Sequence, residues 1–343
     1  MLKAGVINVT GYAGSELARI LHAHPEVELV AVTGRSAAGK RLPEALPYLW
    51  QIDLPITRDI EVSVDVVFSA LPTAASAEAL APFIESGVRA VDIAADFRLK
   101  DVKEFEEVYG KEHPAPHLVQ QAVYGLTEVN REAVRGARLV ANPGCYPTSA
   151  LLALVPAVRE GLIGEGIVVD AKSGISGAGR GGLGASVIDH FCEADENLVP
   201  YRLEGHGHLP EIVQELAAQR EGFRPRVTFV PHRVPMVRGI LSTCYADLTD
   251  TSLTGEEVRQ VYRESYKGEP FVKVPATVPQ TKETTGTNLC LVYPTVDRRT
   301  GRLIVVSAID NLVKGAAGQA VQNMNAMCGF PETAGLQTTP LYP

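Results

Sequence analysis

Apolar residues in the first third of the chain fall into short runs separated by helical spacing: residues 4–9, a helical run over 14–22, then 27–32, 64–70 and 90–94. That alternation is βαβ rhythm and predicts a parallel sheet. Several of the runs are continuously apolar, as expected where helices cover both faces of such a sheet. A further strand at 138–141 leads into Asn142-Pro143-Gly144-Cys145, and a new helix is expected over residues 147–160. The domain junction is placed there. From Gly166 the texture changes to longer strands (167–171, 226–230, 240–248, 289–293 and 303–308) separated by polar loops, which predicts a mixed sheet with helices on one side. The small-residue-rich run 311–327 is helical in pattern despite Gly315 and Gly318, and a closely packing helix of that kind often returns to a nucleotide domain. The expected class is therefore α/β, with a Rossmann-type dinucleotide-binding domain in residues 1–145 and 311–343. An α+β catalytic and oligomerisation domain with a mixed sheet is expected in 146–310. No internal repeat, low-complexity tract or long linker interrupts this plan.

Length agrees with two domains sharing a cleft, since 343 residues exceed one ordinary domain and fall short of three. A hydrophobic share of 45% with 21% charged residues describes a folded α/β protein rather than a disordered or fibrous one. The formal charge of -8, with no Lys/Arg cluster, argues against nucleic acid as the main partner and leaves a small molecule. Five scattered cysteines without C-x-x-C spacing indicate neither a disulfide framework nor a zinc ribbon. Reduced thiols in a cytoplasm are expected. Met1 runs almost directly into Ala4-Gly5-Val6-Ile7, so no export leader is expected. The longest apolar stretch, 150–158, is interrupted by Pro156 and falls far below the roughly 20 residues that span a bilayer, so no membrane partner is expected.

The first strand ends in Asn8-Val9-Thr10-Gly11-Tyr12-Ala13-Gly14, followed by the helical run Ser15-Glu16-Leu17. Glycines there let the backbone approach a pyrophosphate, while the helix N-terminus supplies N–H groups and a positive dipole end. The spacing is G-x-x-G-x-x-G with Asn8 at the first glycine, and Asn tolerates left-handed backbone. A glycine-rich turn can also be an ordinary loop; the strand-turn-helix context is what argues for a nucleotide held by Thr10, Gly11, Tyr12, Ala13 and Gly14. NAD sites place Asp or Glu after the second strand, whereas this chain has Thr33-Gly34-Arg35-Ser36 with Lys40 close behind. Arg35 and Ser36 suit a 2′-phosphate, so NADP is the expected cofactor; the bland alternative is a solvated turn.

Cys145 stands where a strand hands over to a helix, in Asn142-Pro143-Gly144-Cys145-Tyr146-Pro147-Thr148. A helix dipole stabilises a thiolate at its N-terminus and makes it a usable nucleophile. An anonymous cysteine is more often a buried small hydrophobe, and that reading is taken for Cys192, Cys244, Cys290 and Cys328. The loop from Ser173 to Gly182 carries five glycines interleaved with Ser173, Ser176 and Arg180. Backbone N–H groups and an arginine there form an anion cradle for a phosphate or carboxylate, unless the segment is only a flexible surface loop.

The N-P-G-C-Y-P-T run, the G-Y-x-G turn, Tyr124-Gly125-Leu126 with Glu128, the segment Lys172-Ser173-Gly174-Ile175-Ser176-Gly177-Ala178-Gly179-Arg180, and His206-Gly207-His208-Leu209-Pro210-Glu211-Ile212 occur in order over nearly the whole chain. Together they resemble the N-acetyl-gamma-glutamyl-phosphate reductases, relatives of the aspartate-semialdehyde dehydrogenases. Asn8 is the clearest departure and touches only the detail of the pyrophosphate turn. The resemblance implies NADPH-dependent reduction of an acyl phosphate to an aldehyde in arginine biosynthesis, through a thioester on Cys145.

A thiol nucleophile needs a base, and reduction of the thioester needs a proton donor. The resemblance puts His208 or His206 beside the thiol, with His208 favoured. A metal pair at i and i+2 is the lesser alternative because no third ligand is spaced nearby, so no metal is expected. His22, His24, His113 and His117 are read as solvated, and His232 as a weaker candidate. Leu71 and Pro72, after a buried strand, resemble the family's nicotinamide-side loop; Ser176, Gly177 and Asn311 are the remaining cofactor candidates. Substrate candidates are Arg98, Asn142, Ser173, Gly179 and Arg180, although Arg98 can equally form a structural pair with Asp96. A homo-oligomer, dimer or tetramer, is the usual expectation for such a fold. Rival readings are the equivalent reductase for an aminoadipyl or aspartyl phosphate, a non-catalytic NADP sensor, and a cysteine hydrolase. The sensor leaves Cys145 unexplained, and the hydrolase has no need of a dinucleotide turn.

Overall fold

The computed structural model describes residues 1–181, 188 and 190–342; Gly182 of the glycine-rich loop lies outside them. Two compact units divide the chain, Met1–Gly144 with Ala316–Gln337, and Cys145–Gly315 with Thr338–Pro343.

In the first unit β1 (Leu2–Ile7), β2 (Val27–Thr33), β3 (Ile56–Thr57), β4 (Val66–Ser69), β5 (Arg89–Asp92), β6 (Ala122–Tyr124) and β7 (Leu139–Ala141) form one sheet in the order 3-2-1-4-5-7-6. Every neighbouring pair is parallel. Helices α1 (Tyr12–His22), α2 (Leu42–Ala45), α3 (Ala75–Glu85), α4 (Val102–Tyr109) and α5 (Thr127–Gly136) lie between the strands in sequence. One face of α3 explains its place: Ala77, Leu80 and Ile84, at helical spacing, join Val67, Ala90, Leu139 and Ala141 of the sheet in a single core cluster. Strand order reverses between β1 and β4, so the carboxyl ends of these two strands flank the point where doubly wound sheets bind ligands. The hydrophobic pattern does not announce β3 or β6, because two or three residues cannot establish an alternation.

The second unit holds a mixed sheet of β8 (Ile163–Gly174), β9 (Val199–Pro200), β10 (Arg226–Val234), β11 (Ile240–Leu248), β12 (Val272–Lys273), β13 (Cys290–Asp297) and β14 (Arg302–Ile309), in the order 12-13-14-11-8-10-9. Its helices are α6 (Cys145–Arg159), α7 (Phe191–Ala194), α8 (His208–Ala217) and α9 (Gly255–Ser265). Each residue of α6 from Tyr146 to Val158 is buried, and the helix packs on β11, β13 and β14 with α8 and α9 alongside. Pro156 inside α6 cannot donate to the carbonyl of Leu152, and the hydroxyl of Tyr266 supplies the missing bond. Tyr262 likewise donates to Ala153 O at 2.6 Å. Buried serines fix the same helix to the sheet: Ser149 Oγ lies 2.9 Å from Ser242 Oγ and 2.5 Å from Ser307 Oγ. On the opposite face of the sheet Val168, Tyr245, Leu291, Tyr293, Ile304 and Val306 remain partly exposed.

The last helix, α10 (Gly318–Cys328), packs on α5 and α1 of the first unit, where Asn323 Nδ2 donates to Gly125 O at 2.8 Å. The run expected to be one α-helix over 311–327 instead opens with a π-helical turn, Val313–Ala317, in which Gly315 N donates to Asp310 O at 3.0 Å. Apolar spacing alone does not distinguish a bond to i−5 from one to i−4. Such turns are rare and recur at functional sites.

Candidate active site

At the end of β1 the chain turns through Asn8, whose φ of 67° is left-handed. Its side chain holds that geometry, donating from Nδ2 to Ala70 O at 2.8 Å and so tying the turn to the residue after β4. Gly14 is required for a different reason: a Cβ there would lie 2.2 Å from Asn8 O, so only glycine lets α1 start so close to the strand end. Gly11 precedes the helix, no side chain caps it, and the first turn carries no acid. Thr10, Gly11, Tyr12, Ala13 and Gly14 thus present a helix N-terminus at the switch point, which suits a pyrophosphate. Arg35 and Ser36 sit exposed on a 3-10 turn after β2, the other neighbour of β1. Leu71 and Pro72 follow β4 at the same edge of the sheet, the former half-buried and the latter exposed.

Behind that edge Ser69, Ser76 and Asp92 are buried together; Asp92 Oδ1 accepts from Ser76 Oγ at 2.5 Å and from the backbone N–H of Ala94 at 3.0 Å. Burial, with Asp96 close by, pushes the Asp92 carboxyl up to about 7. A folded-state proton affinity above the usual value near 4 means that the native chain keeps a proton which the unfolded chain releases between about pH 4 and 7. This contribution therefore makes stability fall as pH rises through that window and level off above it. Asp92→Asn, which mimics the protonated acid, is expected to flatten that slope and to raise the thermal midpoint at pH 8 by several degrees with little change at pH 5. Thermal melts at the two pH values check it, and a variant less stable at both would refute it.

Arg98 is buried, with Nε donating to Asn142 O at 2.8 Å and Nη2 to Ile93 O at 2.7 Å. Both bonds brace the turn that leads into Cys145. Asn142 is fully buried too, its amide donating to Ala316 O and accepting from Asn323 Nδ2. Local sequence places both residues near the nucleophile but says nothing of these distant partners. His24 and His113, expected to be solvated, are also buried: His24 Nε2 lies 2.9 Å from Asn325 Oδ1, and His113 Nε2 lies 2.7 Å from Asp96 O. His22 and His117 are exposed.

Cys145 is half-buried and is the first residue of α6, whose first turn holds no acid. Of the other cysteines, Cys244 and Cys290 are core residues and Cys192 is exposed, against the buried reading made for it. Burial pushes the Cys244 thiol up to about 12, the behaviour of an inert core thiol. The ring of Tyr146, next to Cys145, packs edge-on against His206, His208 and Phe229, with centroids 5.8, 5.9 and 5.3 Å away. Its hydroxyl donates to the carbonyl of His232 at 3.0 Å.

His206 and His208 lie 4.8 Å apart but differ in chemistry. Nδ1 of His206 accepts the backbone N–H of His208 at 3.1 Å, which leaves its proton on Nε2, 3.4 Å from the Tyr201 hydroxyl. Burial, then the charges of Arg202 and Arg233, push His206 down to about 4. An imidazole so depressed, with its accepting nitrogen already bonded, is a poor base at neutral pH. His232, on β10, lies against the neighbouring β8, with Nδ1 3.3 Å from Asp170 Oδ1.

Ser173 and Ser176 are buried around a 3-10 turn, Ile175–Ala178, while Gly179 is half-buried and Arg180 exposed. Asn311 is a clamp: its Nδ2 donates to Ser176 Oγ at 2.9 Å and its Oδ1 accepts from Gly239 N at 2.7 Å. Sequence reasoning missed Tyr201, Arg233 and Gly315. A Cβ on Gly315 would lie 2.8 Å from Cys145 Cβ, and the only trace of this in the sequence is a glycine inside a helical pattern. No group of three or more potential metal ligands occurs among the described residues, and none of their helices is long and apolar enough to cross a membrane.

Comparison with known proteins agrees with both units. Residues 3–137 match the semialdehyde dehydrogenase NAD binding domain and residues 145–311 the semialdehyde dehydrogenase dimerisation domain. Among solved structures, aspartate semialdehyde dehydrogenase II from Vibrio cholerae, complexed with ASA, superposes with a TM-score of 0.74 at 19% identity, covering 96% of this chain and 98% of that one. The enzyme from Candida albicans with NADP gives 0.70 at 21%, with the same coverage. These two show a shared fold. An N-acetyl-gamma-glutamyl-phosphate reductase from Dehalococcoides mccartyi strain CBDB1 is 57% identical over 341 residues, 99% of each chain. One from Pelotomaculum thermopropionicum is 51% identical over 353 aligned positions, covering 100% of this chain and 99% of the relative. With likeness of that degree along its whole length, the chain belongs to the N-acetyl-gamma-glutamyl-phosphate reductase family of semialdehyde dehydrogenases.

Proposed function

We propose that the chain reduces N-acetyl-gamma-glutamyl phosphate to N-acetylglutamate 5-semialdehyde and phosphate, in arginine biosynthesis, through a thioester on Cys145. The observation that carries this reading is a half-buried thiol on the first residue of α6, next to a tyrosine ring packed against two histidines. The Cys145 thiolate attacks the acyl carbon, backbone N–H groups at the start of α6 hold the oxyanion, and the bond to phosphate breaks. NADPH, when bound, supplies the hydride that reduces the thioester carbonyl. His208 gives a proton to the developing alkoxide and takes it back as the hemithioacetal collapses; His206 orients it through the bond from His208 N–H to Nδ1.

The turn Thr10–Gly14 suits the pyrophosphate, and the exposed Arg35 and Ser36 favour a 2′-phosphate, hence NADP over NAD. Leu71 and Pro72 would border the nicotinamide, with Ser176 and Gly177 contributing from their turn. Ser173, Gly179 and Arg180 remain substrate contacts, whereas Arg98, Asn142 and Asn311 act by holding the backbone around the site. A homo-oligomer, dimer or tetramer, in the cytoplasm fits the partly exposed apolar face of the second sheet.

The reverse assay tests the proposal: N-acetylglutamate semialdehyde, phosphate and NADP are supplied and reduced cofactor is followed. Turnover is expected to depend on phosphate and to favour this semialdehyde over the aspartate and aminoadipate analogues by at least about tenfold, the usual worth of one methylene in a fitted pocket. Equal rates with the aminoadipate analogue would overturn the substrate assignment, and equal use of NAD would overturn the role given to Arg35 and Ser36.

A further inference from the structure

We propose that Asp96 is a positioning residue for the cofactor, its buried carboxylate clamping the loop after β4 in the shape that receives the nicotinamide of NADPH. The inference rests on the reading of Leu71 and Pro72 as nicotinamide-side residues and adds the group that sets where they stand. Asp96 is fully buried. Its Oδ2 accepts the backbone N–H of Ala74 at 3.0 Å, and its Oδ1 accepts that of Ala77 at 2.9 Å. Its backbone oxygen lies 2.7 Å from His113 Nε2, so the residue is held from behind as well.

Ala74 is the N-cap of α3 and has no side-chain oxygen to offer the helix. Helix starts leave N–H groups without intrahelical acceptors, and a polar N-cap side chain usually serves them. Here the acid arrives from the turn after β5 instead. Ala74 is also left-handed, with φ 74°. The other non-glycine residues with positive φ among the described residues are Asn8, Glu196 and Arg202, all polar. A Cβ makes that conformation costly, so a residue stays in it only where its surroundings overdetermine it. Capping a helix does not require it, since an N-cap residue normally has extended backbone. The bend at Ala74 therefore serves the loop before it rather than the helix after it. At the loop's other end Asn8, in the pyrophosphate turn, donates to Ala70 O at 2.8 Å. Leu71, Pro72 and Thr73 are thus strung between the nucleotide turn and Asp96, and Ala75 N closes the bend by donating to Pro72 O at 3.2 Å. Without the carboxylate Ala74 relaxes toward negative φ. Ala70 stays fixed, so Leu71, Pro72 and Thr73 take up the displacement, while the turn Thr10–Gly14 and Arg35 keep their places.

The probes are NADPH, adenosine 2′,5′-bisphosphate, which lacks the nicotinamide, and hydrogen exchange at the Ala74 and Ala77 amides. In Asp96→Ala both amides are expected to exchange at least about tenfold faster than in the natural protein. NADPH should bind at least about tenfold more weakly and the bisphosphate within about twofold, because only the nicotinamide side is displaced. Adding Ala74→Gly, which takes positive φ without a Cβ, should restore NADPH affinity about fivefold in Asp96→Ala and by less in the natural protein. A carboxylate that merely stabilised the fold would weaken both ligands alike. Asp96→Asn, whose single amide oxygen replaces two accepting oxygens, should fall between, and it decides the matter if the alanine variant does not fold. Unaltered amide exchange, or an equal gain from the glycine in both proteins, would overturn the clamp. If the amides are released and NADPH binds as tightly as before, it is the nicotinamide reading of Leu71 and Pro72 that fails.

Discussion

Cys145→Ala is expected to lower turnover by at least about 10³-fold, because the alternative to covalent catalysis at this site is direct reduction of an acyl phosphate without a thioester. The loss should lie in kcat. The half-buried side chain loses a single sulfur, so folding and the thermal midpoint change little. The nucleotide turn is built from β1 and α1, which Cys145 does not belong to, so NADPH binding measured by fluorescence titration should stay within about twofold. Cys145→Ser should be nearly as inactive, since a hydroxyl at neutral pH offers almost no anion for a helix dipole to stabilise. Normal turnover by the alanine variant, in the same phosphate-dependent assay, would end the covalent mechanism.

The next largest effect is expected at a residue with no reactive group. Gly315→Ala places a methyl 2.8 Å from Cys145 Cβ, 3.3 Å from its Cα and 3.3 Å from Ile309 Cδ1, so something must move. These atoms of Cys145 are its backbone and the root of its side chain, which cannot rotate away. Cys145 opens a helix that is buried from Tyr146 to Val158, while Gly315 is fixed by its bond to Asp310 O. A displacement of a few tenths of an ångström to one ångström at the nucleophile typically costs about 10²-fold in rate. The expected result is that loss in kcat with the KM for NADP intact. Gly136→Ala, at a glycine with nothing within 4 Å, is the control and should leave activity unchanged. Undiminished kcat in Gly315→Ala would show that the nucleophile tolerates the shift, and the π-helical turn would lose its assigned purpose.

Both effects concern a site that was legible only in part. The nucleotide turn could be found because its signals are consecutive: an apolar strand, a residue tolerant of left-handed backbone at Asn8, a glycine at position 14 and then helical spacing. The structure finds each local requirement there, including the positive φ at Asn8. The start of α6 could be found in the same way, from a strand ending at Ala141 and a proline two residues beyond the cysteine. The βαβ rhythm implies helices between the strands, but it sets no bounds for α3, α4 and α5.

The amino-acid sequence by itself determined the class of fold, the nucleotide turn, the position of Cys145 at a helix start and the two histidines at the start of α8. These depend on residues within a few positions of one another, and short-range spacing records such relations faithfully. Only the tertiary structure decided that Arg98 and Asn142 brace the backbone and that His24 and His113 are buried. It alone brought Tyr201 from just after β9, Arg233 from β10 and Gly315 from a π-helical turn into the surroundings of Cys145 and its neighbouring histidines. The reason is that burial, charge and hydrogen-bond partnership are set largely by groups tens to hundreds of residues away, in sheets whose pairing no local pattern encodes.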